Sequence, residues 1–120
     1  MTIEEAQKIA QEYLKQTHTY EFVIDNTMTI ERSDFWVFYW NSPEYVKTKD
    51  IKFANIGASS VFVDKETGDI HQYGTYQSIE YFIKEHERWL VSKQKKRARQ
   101  LRRQEIFKLI THPWLIFFRR

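Results

Sequence analysis

The sequence predicts a small α+β fold: an N-terminal helix, a mainly antiparallel sheet of four or five strands, and a second helix extending into a basic C-terminal tail. Three observations predict it. A capped amphipathic segment opens the chain, β-rich runs occupy residues 20 to 73, and helical apolar spacing returns after residue 78. With 120 residues, 42% of them hydrophobic, the chain is long enough for one compact domain and an appendage. Four Trp, seven Tyr and nine Phe mean a core built largely from rings.

Thr2-x-x-Glu5 is a capping-box pattern, and Ile3, Ala6, Ile9, Ala10, Tyr13 and Leu14 follow on one helical face. This predicts a helix over residues 2–16. The runs Tyr20–Asp25, Met28–Arg32 and Phe35–Trp40 then read as strands, separated by Asp25-Asn26 and Ser33-Asp34. In the third run Trp36, Phe38 and Trp40 share one face and Phe35, Val37 and Tyr39 the other. Such a strand is either covered on both sides or offers its second face to a partner. Residues 44–60 read as irregular, with Gly57 in a tight loop. Val61–Asp64 and Asp69–Tyr73 flank Lys65-Glu66-Thr67-Gly68, a hairpin whose glycine supplies a positive φ. Thr75 or Ser78 caps the second helix, marked by Ile79, Phe82, Ile83, His86, Trp89 and Leu90. With no Gly or Pro from Ser92 to Thr111, that helix is expected to continue until His112-Pro113.

The net charge of +3 hides a division. Residues 1–91 carry nine Lys and Arg against fifteen Asp and Glu, a balance of −6, and residues 92–120 carry ten against Glu105 alone, a balance of +9. The expected organisation is therefore an acidic body, 1–91, and a basic, aromatic-ended extension, 92–120. The absence of Cys excludes disulfide frameworks and thiolate chemistry. No apolar h-region follows the acidic N-terminus, and no stretch approaches the roughly 20 apolar residues of a membrane span. A cytoplasmic location is expected. His18, His71, His86 and His112 have no metal-ligand spacing, and neither a phosphate loop nor a nucleophile elbow is recognisable. No catalytic residue, metal or cofactor is expected, and an enzyme is the least favoured class.

The order helix, Trp-containing strand, Asn-Ser turn, Asp-Lys-x-Thr-Gly hairpin, Gly-Thr and helix resembles the immunity protein 35 family, also called the YrhB domain. The resemblance rests on Trp36-Val37-Phe38 with Asn41-Ser42, Tyr45, Thr48 and Asp50, on Gly57, and on Val63-Asp64-Lys65 with Thr67-Gly68 and Ile70. It continues through Tyr73-Gly74-Thr75 to Ser78, Glu80, Phe82 and Ile83, covering about residues 1–90. It implies a small α+β protein that protects its producer by binding and occluding a cognate polymorphic toxin, without catalysis. The tail has no counterpart in short family members.

Trp36, Trp40, Asn41 and Tyr45 are candidates for the partner-binding surface, since Trp and Tyr supply large contact area at low entropic cost. The competing reading puts the tryptophans in the core. Asp50, Asp64 and Thr67 complete the set, although turn chemistry is the simpler reading of Asp64 and Thr67. The carboxylates of the body would steer toward a basic toxin.

Lys93, Lys95, Lys96, Arg97, Arg99, Arg102 and Arg103 form the basic tail, and Trp114, Phe117 and Phe118 its aromatic end. The cations suit nucleic-acid phosphates, and the order basic then aromatic suits an anionic membrane surface. A third reading, burial of the aromatic end against the body or against a second copy in a homodimer, is favoured because an exposed apolar run invites aggregation.

Overall fold

A computed structural model describes residues 1–111. The elements in chain order are α1 (Ile3–Thr17), β1 (Val23–Glu31), β2 (Phe35–Asn41), α2 (Pro43–Thr48), a 3-10 turn (Ile51–Phe53), β3 (Val61–Asp64), β4 (Ile70–Gln72) and α3 (Ile79–Thr111). They fall into two compact units, Met1–Ser78 and the chain from Ile79 onward. The fold is α+β, as expected, with four strands.

The first unit is one helix against a meander. The strands lie in the order β1-β2-β3-β4, with every neighbouring pair antiparallel. Each strand pairs with the one before it in the chain, the commonest arrangement of consecutive strands. Thr2 caps α1 by accepting from the Glu5 amide at 3.2 Å, and Ala6, Ala10 and Leu14 are its fully buried positions. Two alanines at the contact let the helix approach the sheet closely. Against them lie Ile24, Trp36, Phe38, Trp40, Val61 and Val63, which the pleat places on one face. The opposite residues of the same strands, Phe35, Val37 and Phe62, are also buried, with Phe35 and Phe62 stacked at 5.4 Å between ring centroids. Both faces of β2 are therefore buried.

Two expectations are corrected. The runs Tyr20–Asp25 and Met28–Arg32 are not separate strands: β1 is continuous, with an irregularity at the predicted break. Between the pairs Asp25↔Tyr39 and Ile30↔Val37, β1 advances five residues while β2 advances two. The Asp25 carboxylate accepts from the Thr27 amide at 3.1 Å and from the Thr27 hydroxyl at 2.6 Å, which holds the surplus residues as a bulge instead of a turn. The stretch 44–60 is not wholly irregular either, because Ser42 caps α2 and Asp50 caps the 3-10 turn.

The predicted hairpin is present. Gly68 has φ 76°, and the Asp64 carboxylate accepts from the Glu66 and Thr67 amides, each at 2.8 Å. Beyond Ser78, α3 runs for 33 residues as one helix that takes in the basic stretch, as expected. Its buried residues are Phe82, Ile83 and His86, whereas every residue from Val91 to Lys108 is exposed.

Candidate functional site

The longest connection between strands of the first unit is the one from β2 to β3, residues 42–60. Its backbone is held by the end of β2. Asn41 Oδ1 accepts from the amides of Ser42 at 2.8 Å and Asn55 at 2.7 Å, and Asn41 Nδ2 donates to the Asn55 carbonyl at 3.3 Å. One side chain thus ties the start of the connection to a point fourteen residues on. Ser42 adds a second tie, with its hydroxyl donating to the Phe53 carbonyl at 2.7 Å and accepting from the Tyr45 amide at 3.2 Å.

A third tie crosses to β1. Lys49 ends α2 in the left-handed region, φ 61°, and its ammonium forms an ion pair with the buried Asp25 carboxylate. The hydrogen bonds from Lys49 and then Thr27 hold the Asp25 carboxyl below its ordinary range, outweighing the opposing effect of desolvation.

Trp40 anchors the far end. Its indole Nε1 donates to the Ser59 carbonyl at 2.5 Å, and Gln72 Nε2 donates to the same carbonyl at 3.0 Å. Gln72 in turn accepts from the Tyr13 hydroxyl at 2.9 Å. The rings of His18, Tyr20 and Phe22 lie 4.7, 6.1 and 5.9 Å from that of Trp40.

On this pinned backbone three large apolar side chains are exposed. Ile51 is 79% exposed, Phe53 42% and Ile56 85%. Tyr45 is half-buried beside them in sequence, and Lys47 and Lys52 are exposed. Three large exposed apolar residues within six positions, on a connection that α2 and the polar ties hold in place, are what a binding surface needs.

The predicted residues are distributed differently. Trp36 and Trp40 are buried, which answers the core reading for both side chains. Trp36 keeps one polar edge, donating to Glu31 at 3.2 Å beneath the Lys65 ammonium, and these two partners hold the Glu31 carboxyl below its ordinary range. Asn41 and Asp50 act on the backbone of the connection, and Asp64 and Thr67 act on the β3–β4 turn. Tyr45 lies on the β2–β3 connection itself, within α2. Ile51, Phe53 and Ile56 escaped sequence analysis, because isolated apolar residues in an aperiodic stretch give no sign of their exposure. Lys93, Lys95, Lys96, Arg97, Arg99, Arg102 and Arg103 all lie exposed on α3. Trp114, Phe117 and Phe118 lie outside the described residues, as does His112-Pro113. Among the described residues, no three His, Asp or Glu gather as a metal site, and no helix is long and apolar enough to cross a membrane.

Fold and site together define a small α+β module of one helix on an antiparallel meander, with a braced connection between its central strands. Residues 4–92 match the family described as Immunity protein 35, and the chain belongs to that family. No curated protein and no solved structure matches the chain.

Proposed function

We propose that this protein is a cytoplasmic immunity protein that neutralises a cognate polymorphic toxin by stoichiometric occlusion, without catalysing a reaction. Family membership supports the class. The observation that carries the site is the exposure of Ile51, Phe53 and Ile56 on a connection tied down through Asn41, Ser42 and Lys49. A surface already ordered before contact loses little entropy on binding, so its apolar anchors contribute more fully to affinity. Tyr45 completes the anchor set. Trp36, Trp40, Asn41, Asp50, Asp64 and Thr67 serve the interface indirectly, by shaping the body that presents it.

The net charge of −6 over residues 1–91 favours a basic toxin, drawn in at long range and then held by apolar contact. The reading assigns neutralisation to the body, residues 1–91, and leaves residues 92–120 a separate role. Co-expression with the toxin encoded by the neighbouring gene tests it. Ile51→Asp/Ile56→Asp is expected to abolish both protection and co-purification while the fold persists. Protection that survives this double substitution would move the interface elsewhere, and a neighbour that encodes no toxin would remove the reading.

A further inference from the structure

The seven cations between residues 93 and 103 have no part in the body's proposed task, and the family match stops at residue 92. They sit on a continuous helix, all of them exposed, and none forms an ion pair with an acid among the described residues. Among the described residues, Lys93 is the one of the seven with a ring beside it, 5.0 Å from the centroid of Trp89. At about 100° per residue the seven spread over an arc of about 220° around the helix axis. Lys93 and Arg97 project on one side, Lys95, Arg99 and Arg102 on the other, with Lys96 and Arg103 between.

We propose that α3 is a binding site for double-stranded DNA, in which these side chains grip phosphates on both strands. A helix about 10–12 Å across fits a major groove about 12 Å wide, where phosphates flank it on two sides. An arc of cations that wide meets both flanks. A membrane-lying helix needs the reverse, a broad apolar face opposite its cations, and between residues 92 and 104 the apolar residues are Ala98 and Leu101 alone. Single strands are disfavoured because no aromatic residue interleaves the cations to stack on bases. The narrow, deep major groove of A-form RNA excludes such a helix. Contacts of this kind give affinity with little sequence selection.

The test is fluorescence anisotropy of the full chain with a labelled mixed-sequence DNA duplex across a salt series. About five phosphate contacts predict a fall in affinity of about 500-fold as salt rises from about 50 to about 200 mM. Arg99→Gln/Arg102→Gln, with helix content checked by circular dichroism, is expected to weaken binding about tenfold or more and to flatten the salt slope by about two. Lys8→Gln/Lys15→Gln, which removes the same charge from the body, is expected to change the slope little. No duplex binding at about 50 mM salt, or equal effects of the two double variants, would overturn the proposal. So would tighter binding to single strands of the same length, or binding to phosphatidylserine vesicles in place of the duplex. Toxin protection, assayed on the same variants, is expected to be unaffected, so this proposal and the neutralisation reading succeed or fail separately.

Discussion

Lys49, held in the left-handed region at the end of α2, reaches the buried carboxylate of Asp25 in the β1 bulge. Among the described residues it is the one position other than glycine with positive φ. The bulge and the strained cap meet in one ion pair, so the irregularity of β1 and the placement of α2 depend on each other. An L-residue in this conformation costs about 1–2 kcal/mol, which the pairing with Asp25 helps to offset.

Asp25→Asn is expected to destabilise the body by about 2 kcal/mol, because it removes a charge-assisted hydrogen bond and leaves the Lys49 ammonium without its acceptor. The wild-type contribution has a definite pH sign. The Asp25 carboxyl is held below its ordinary value of 3.8 in the folded state, so its stabilisation is present above that value and is lost as pH falls through the lower folded value. Urea unfolding at neutral and acid pH checks this, and the gap between wild type and Asp25→Asn should narrow at the acid end.

Lys49→Gly and Lys49→Ala both lose the ion pair but differ in backbone cost. The glycine variant is expected to be the more stable by about 1 kcal/mol, since only the alanine keeps a Cβ at positive φ. Denaturant midpoints of the two variants measure the difference. Equal midpoints would mean that the left-handed cap is not maintained.

Asn41→Ala removes the acceptor of two amides and a donor to a carbonyl. A loss of about 2–3 kcal/mol is expected, together with faster amide exchange at Ser42 and Asn55. Toxin affinity should fall with it, because the connection that carries Ile51 and Ile56 is then no longer preorganised.

Ile51→Asp/Ile56→Asp reads the opposite balance. Both side chains are largely exposed, so thermal unfolding should change by less than about 1 kcal/mol in total. Toxin affinity should fall by about tenfold or more for each anchor lost. Isothermal titration with the toxin domain compares the two effects directly.

Gly68→Ala would place a Cβ 3.1 Å from both Ile9 Cδ1 and Met1 Cε, at a φ of 76°. A cost of about 1–2 kcal/mol is expected, visible as a lower unfolding midpoint. Its effect on toxin binding should be slight, because the β3–β4 turn is separate from the β2–β3 connection.

The amino-acid order alone determined α1, the β2 and β3 strands, the Asp64–Gly68 turn and the continuity of α3. Each of these is written in local spacing, as with Thr2 and Glu5, the alternation through Phe35–Trp40, or the seven cations uninterrupted by glycine or proline. Only tertiary structure decided that Trp36 and Trp40 are buried while Ile51 and Ile56 are exposed. Exposure depends on what packs nearby, and in an aperiodic segment nothing local encodes that. The same holds for Asp25, which marks a turn in isolation and becomes a bulge anchor once Lys49 reaches it from a residue 24 positions away.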